Sequence, residues 1–272
     1  MLIKSPTELA KIKQGGKILG EILEKLTKLC RPGVSTWEID QAAEKLIHEA
    51  GGRPAFKGYH SHSGESPFPS TICASLNHEL VHGIAKKKTI LKNGDIFSID
   101  IGMEWPYSDQ LKNGKKQPGY FTDTAITVPI GKIPAKTREL LQVTQEALEI
   151  GMQAVKPGNT IADIGQAIEK FVRSEGKYGI VQDLVGHGVG HGVHEEPRVP
   201  NYFDPSVAKI KILPGMVLAI EPMISLGGHE VKIGQDGWTI EMADCSLCGH
   251  FEHTVIVTKK GHEVVTRRPQ EL

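Results

Sequence analysis

The spacing of apolar residues along the chain changes period repeatedly, and each change marks a predicted element. The opening stretch, MLIKSPTELAKIKQGGKILGEIL, alternates charged and apolar residues at helical spacing, which predicts an amphipathic helix. Residues 31–51, RPGVSTWEIDQAAEKLIHEAG, begin with a basic residue, Pro-Gly and a Ser-Thr pair ahead of a second helical pattern, then end on glycine. That order reads as a turn, an N-capped helix and a helix stop. Residues 156–176, KPGNTIADIGQAIEKFVRSEG, repeat the design, with eight of the 21 positions identical.

The correspondence continues into segments of β character. LKNGDIFSID (91–100) and ILPGMVLAIE (212–221) are each a glycine turn feeding an apolar run, and both runs finish on a carboxylate, Asp100 and Glu221. YFTDTAITVPIG (120–131) and HFEHTVIVTKKG (250–261) are β-rich and carry Asp123 and Glu252, one position out of register with each other. Two copies are too few for a solenoid, which needs about three stacked units; two related halves facing each other across a central cleft fit better. The expected fold is α+β with a pseudo-twofold, a curved antiparallel sheet inside and helices outside. A single domain is expected over residues 1–272, in halves of about 1–131 and 132–272.

Composition narrows the function classes. At 39% hydrophobic and 24% charged residues the chain can build a substantial core. Lysine plus arginine equals aspartate plus glutamate at 32 each, so charge predicts neither a nucleic-acid partner nor a membrane surface. The N-terminus has no apolar stretch of signal-peptide length, and no window approaches the ~20 apolar residues of a membrane span; the cytoplasm is the expected location. Four cysteines, with Cys30 and Cys73 far apart, do not make a disulfide framework.

The segment LNHELVHGIA (76–85) spells the His-Glu-x-x-His signature of zinc proteases at His78 and His82. That motif grips an ion only on a helix, where residues i and i+4 lie roughly 5–6 Å apart on one face. On a strand the two histidines would stand about 13 Å apart. The acids point elsewhere. Asp100 closes IFSIDIG, Glu221 closes MVLAIEPM and Glu252 stands just before HTVIVT, so each sets a charge against a segment expected to be buried. An acid at a strand end is usually solvated, but buried carboxylates need a basic partner or a metal ion. Those runs contain no lysine or arginine, which favours metal. In GHGVGHGVHEEP (186–197) the glycines lack nucleotide-loop spacing. Around His187 they let the backbone approach an ion, with His194 seven residues on; the bland alternative is a pair of histidines in a flexible turn.

In chain order, SIDIG, FTDTA, GHGVGHGVHEEP, LAIEPM and FEHTVIVT resemble the motifs of the type I methionine aminopeptidases, and IKSPTELAKIKQGGKILGEIL is similar to that family's N-terminal helix. The resemblance covers nearly the whole chain. It implies the pita-bread fold, with Asp100, Asp123, His187, Glu221 and Glu252 holding two divalent ions. Four carboxylates and one imidazole suit manganese, iron(II) or cobalt, with zinc a further candidate. The implied activity is removal of the N-terminal methionine from nascent proteins and peptides whose second residue is small, by metal-activated water. Glu221 is then the proton shuttle. His82, at the end of the Asn77 to Gly83 segment, faces the substrate, and His194 supports the oxygen of the tetrahedral intermediate. Tyr59, Phe68, Cys73 and Trp238 line the methionine slot, where sulfur and aromatic rings suit a thioether. The implied enzyme is a monomer whose partner is a peptide or nascent-chain N-terminus, with a transient ribosome contact.

The chain departs from that family in three places. Asp100 and Asp123 are separated by 22 residues, and the extra stretch reads as an extended hairpin with turns at Asn113-Gly114 and Pro118-Gly119. Asp109 inside it is a rival second ligand; Asp123 is preferred because FTDTAITVPIG matches on both sides. A second insertion separates Gly58-Tyr59 from Phe68-Pro69. Cys245 and Cys248 form a Cys-x-x-Cys pair with no second pair to complete a zinc ribbon, so both are expected in a loop, with a redox-sensitive lid as the alternative. Rival functions are a proline-directed peptidase of the same fold and a non-catalytic binding protein, although all five ligands and both histidines are in place.

Overall fold

The structure of the protein, a computed structural model, describes residues 2–60, 66–109, 111–112, 115–116 and 119–271. Helix α1 (Pro6–Thr27) begins at a capping box: the Glu8 N–H donates to the Ser5 hydroxyl, the Ser5 N–H donates to the Glu8 carboxylate, and Pro6 opens the first turn. Helix α2 (Thr36–Glu49) uses Ser35 and Glu38 in the same way. In the second half come α3 (Ala135–Ala154) and α4 (Ile161–Glu175), the latter opening where the Thr160 N–H donates to Asp163. Ile161, Ile164, Ile168 and Val172 recur every three or four residues on α4 and are its buried stripe.

The first-half sheet is built around the strand Ile96–Trp105, which pairs antiparallel with Ile72–Leu76, Tyr120–Pro129 and, near its end, Arg53–Pro54. The second-half sheet runs in the order Glu195–Val199, Gly186–Gly188, Val217–Ile220, His253–Val257, His262–Val264, again antiparallel. The sequence repeat therefore reappears as a repeated pairing: in each half the strand after the glycine turn pairs with the β-rich segment carrying the second acid. The halves are stitched together at these strands. The Glu252 N–H donates to Ala125 O at 3.0 Å, the Thr124 hydroxyl donates to Glu252 O at 2.8 Å, and the Thr254 hydroxyl donates to Asp123 O at 2.7 Å.

Helices cover the outside. α1 lies against Ile96–Trp105 and Tyr120–Pro129, while α3 packs on α4 and on the strands Met223–Ser225 and Cys248–His250. One apolar core runs through both halves, from Leu19, Leu23 and Ile39 through Ile99 and Ile101 to Leu140, Ile164, Leu218 and Ile220. α1 also receives the C-terminal segment: a Cβ at Gly20 would meet Arg267 O at 2.7 Å, so only glycine permits that approach.

The insertion between Asp100 and Asp123 is a hairpin, as expected, with Leu111–Lys112 paired antiparallel to Lys115–Lys116. The turn residues Asn113, Gly114 and Pro118 lie outside the described residues, as do residues 61–65 of the other insertion.

Candidate metal centre and substrate cleft

Strand geometry gathers the acids on one face. Opposed residues of an antiparallel pair share a face, as do residues two apart along a strand. Asp100 stands opposite Ala125 and Asp123 opposite Gly102, so the two aspartates are diagonal neighbours, with Cys73 opposite Asp100 on the next strand. In the second half Ile220 pairs with His253 and Met223 with His250, and the register is the same on both sides of the break. Glu221 therefore stands opposite Glu252. The repeated acids differ by two positions in their pairing, diagonal in the first half and directly opposed in the second, so strand register does not follow the one-position offset of the sequence alignment. His187 pairs with Ala219, which makes it a diagonal neighbour of Glu221, and its Nε2 lies 3.5 Å from Glu221 Oε1.

The expected ligand residues converge on a cavity of about 490 Å³ that all five line. Asp123, His187 and Glu252 each bring a ligand atom within 4.8 Å of the other two. Burial pushes the Asp123 carboxyl up to about 7. Asp100 is driven well above the usual carboxylate range by burial and then by the Asp123 charge; Glu221 by burial and then by both aspartates. Glu252 is raised by burial, Asp123, Glu221 and Asp100, against which the Arg268 guanidinium works in the opposite direction. Burial lowers His187 to about 3, which keeps its nitrogen lone pair available. Asp100 Oδ1 and Glu252 Oε1 have no hydrogen-bond partner. Four crowded carboxylates with orphaned oxygens are costly for the protein alone, and divalent cations relieve that cost. The residues present thus fit a divalent metal centre.

The walls of the cavity bring the other expected residues together. His82 sits at φ 57°, a left-handed conformation uncommon for a residue with a side chain. Its neighbour Gly83 is fixed by the Ser75 hydroxyl at 3.1 Å and by the Ala74 N–H, which donates to Gly83 O at 2.7 Å. Burial, reinforced by His194, lowers the His82 imidazole to about 4. His78 and Glu79 take no part in the cavity: Glu79–Val81 is a strand, and the Glu79 carboxylate accepts the Leu76 N–H at 2.8 Å. The zinc-protease spelling has no helix to give it meaning.

Tyr59, Phe68, Cys73 and Trp238 all line the cavity. The insertion between Tyr59 and Phe68 is closed at its base, where the Phe68 N–H donates to Tyr59 O and the Gly58 N–H to Phe68 O, each at 2.8 Å. Phe68 then meets Trp238 edge to face at 5.3 Å, and Tyr59 meets His194 at 5.4 Å with its hydroxyl 3.1 Å from Nδ1. Asp109, the rival ligand, is exposed and accepts from the Tyr107 hydroxyl.

The loop expectation holds for Cys245 and fails for Cys248. Cys248 is a buried residue of the strand Cys248–His250, because both its N–H and its thiol donate to Asn77 O. Two residues of the site's surroundings lie outside the ligands and slot that the motifs imply. Arg268 is fully buried and reaches Ala125 O, Thr124 Oγ1 and His253 Nε2 while pairing with Glu271. His250 is buried beside Glu221. The signal that would have found His250 is its place two residues before Glu252, on the same face of an extended segment.

Comparison with known proteins defines the class. The chain belongs to metallopeptidase family M24, whose profile matches residues 10–259, and is a metal-dependent hydrolase. It is 42% identical over 267 residues to methionine aminopeptidase 1 of Bacillus subtilis (strain 168), covering 98% of this chain and 99% of that one. It is similar in structure to a methionine aminopeptidase from Thermotoga maritima, with a TM-score of 0.88 at 36% identity over 98% of this chain and 100% of that chain. The likeness to the prolidase from Pyrococcus horikoshii, with a TM-score of 0.73, 23% identity and 65% of that chain covered, is one of fold alone. The pita-bread fold implied by the motifs is the observed one, and the family uses divalent metal.

Proposed function

We propose that this protein releases the amino-terminal methionine from peptides and nascent chains whose second residue is small. The observation that carries the reading is the joining of two groups in one cavity: the acids with His187 on one side, and Tyr59, Phe68, Cys73 and Trp238 on the other. The second group forms an apolar slot with aromatic edges and a sulfur, suited to a thioether side chain.

Asp100, Asp123, His187, Glu221 and Glu252 would hold two divalent ions, with manganese, cobalt or iron(II) the best match to an oxygen-rich set and zinc a further candidate. When bound, such ions supply Lewis-acid polarisation and activate water at neutral pH. Glu221 takes the proton of the attacking water and returns it to the leaving amine. If the Tyr59 hydroxyl donates to His194 Nδ1, the His194 proton sits on Nε2, where it can donate to the oxygen that gains charge. His82 is neutral at pH 7 and faces the scissile peptide, which limits the room for the second residue.

No helix among the described residues is long and apolar enough to cross a membrane. We assign the reaction to the cytoplasm, to a monomer that meets nascent chains in transient contact with the ribosome. The test is a comparison of Met-Ala-Ser, Met-Leu-Ser and Ala-Pro-Ser as substrates. Met-Ala-Ser should be cleaved far faster than the other two; preference for the proline peptide would replace this reading with a proline-directed one.

A further inference from the structure

His250 is a buried group beside Glu221 that the proposed reaction does not use. Its side chain is 1% exposed, and neither ring nitrogen has a hydrogen-bond partner. Buried polar atoms are paired in the great majority of cases, because an unmet donor or acceptor loses water without compensation. The backbone of His250 is tightly held: its N–H donates to the Thr127 hydroxyl at 2.8 Å, and that hydroxyl donates to His250 O at 2.9 Å and lies 2.8 Å from the Ser98 hydroxyl. That frame fixes the backbone from which the ring projects, and the ring lies beside Glu221 with the His82 imidazole also near it. His250 Nε2 lies 3.6 Å from Glu221 Oε2, while the other oxygen of Glu221 lies 3.5 Å from His187 Nε2.

The pseudo-twofold gives this placement a second, independent basis. In the first half Asp100 stands opposite Ala125 and diagonal to Asp123, two residues toward the N-terminus of the partner strand. In the second half Glu221 stands opposite Glu252, and the residue two toward the N-terminus is His250, paired with Met223. Strand register, unlike the sequence alignment of the repeats, makes His250 the counterpart of Asp123. The diagonal slot beside the first acid is filled by a site side chain in both halves.

We propose that His250 is a positioning residue that donates a hydrogen bond from Nε2–H to Glu221 Oε2 and so fixes the orientation of that carboxylate. With a divalent ion bound, Glu221 is ionised and only accepts, so a hydrogen bond between the two groups requires the ring proton on Nε2 and leaves Nδ1 as an acceptor. With Oε2 held, Oε1 stays turned toward His187 and the cavity floor. At 3.6 Å the pair is wider than a hydrogen bond, which forms once the two side chains close by about 0.5 Å. Partners of ligating carboxylates typically contribute about 10–100-fold in metal affinity or activity. The inference rests on the reading of Glu221 as a metal-site carboxylate.

The experiment titrates Mn(II) into the metal-free full-length protein and its His250→Leu, His250→Gln and Glu221→Gln variants, and measures kcat and KM for Met-Ala-Ser. His250→Leu should weaken metal binding by roughly 10–100-fold, with kcat reduced and KM little changed. His250→Gln, which keeps an N–H donor, should recover most of both losses. In the unsubstituted protein loaded with diamagnetic Zn(II), where Glu221 is ionised, the 15N signals of the His250 ring should show the proton on Nε2. Unchanged metal binding in His250→Leu, a glutamine variant no better than leucine, or a proton on Nδ1 would overturn the proposal. Glu221→Gln separates the two levels: if it binds metal normally, the reading of Glu221 fails and the inference with it. If it loses metal while His250→Leu does not, the inference alone fails. Should His250→Leu not fold, the ring-proton assignment decides.

Discussion

The replacement Asp123→Asn should make the metal-free protein more stable while destroying the site. Burial raises the Asp123 carboxyl from its ordinary 3.8 to about 7. Below pH 3.8 the group is protonated in folded and unfolded chains alike, and it contributes no pH dependence. Between 3.8 and 7 the folded protein holds a proton that the unfolded chain has released, so stability falls as pH rises; above 7 the loss is complete. About three pKa units correspond to a loss on the order of 4 kcal/mol. Asparagine is neutral throughout and keeps an oxygen for the Thr124 N–H, which donates to Asp123 Oδ1 at 3.0 Å. Comparing the two proteins cancels the titrating groups that do not sense Asp123; Asp100, Glu221 and Glu252, whose carboxyls its charge raises, widen the gap in the same direction. At about 2–4 °C per kcal/mol for a chain near this size, the asparagine variant should melt roughly 8–15 °C higher at pH 8 in chelator. The gap should shrink toward zero at pH 4. Saturating Mn(II) should reverse the order, since only the aspartate protein gains from binding. Calorimetry across that range is the assay. A variant that is less stable than the parent at every pH, or a gap that does not grow with pH, would refute the reasoning.

Chelation should abolish turnover, and manganese, cobalt or iron(II) should restore it; Asp100→Ala should prevent the restoration and Asp109→Ala should not, since Asp109 is exposed and is not among the residues lining the cavity. Metal analysis of purified His78→Ala and His82→Ala should find normal content in both. Only His82→Ala should lose turnover, by a factor on the order of 10² or more; metal loss from both would revive the zinc-protease spelling. Cys245→Ser with Cys248→Ser should leave turnover under reducing conditions nearly unchanged, and the release of one zinc per chain on that replacement would show a structural site instead.

Much of the fold was legible because its signals are local. Ser5 with Glu8 and Ser35 with Glu38 announce helix starts within four residues, and the capping bonds form as written. The repeat was legible for the same reason, and it correctly paired the acid-bearing strands. The pairing of Glu252 directly opposite Glu221 was not, because a ladder's register is a relation between two strands that no single segment contains. His250 was missed on the same ground: its nearness to Glu221 exists only once Met223 is opposite it. Arg268 lies in a C-terminal segment without a counterpart in the repeat, and it reaches the site's strands by crossing against α1. The closure of the insertion between Tyr59 and Phe68 depends on backbone bonds that any residues could make, so composition could not reveal it.

The central claim is that the acids and His187 form a two-ion centre that serves methionine release. Its most direct test is a titration of the metal-free protein with Mn(II) under anaerobic conditions, following bound metal and free methionine from Met-Ala-Ser in the same samples. Binding should saturate at two ions per chain, with methionine release appearing as metal binds and absent without it. Tight saturation at one ion, or metal binding with no release of methionine, would contradict it.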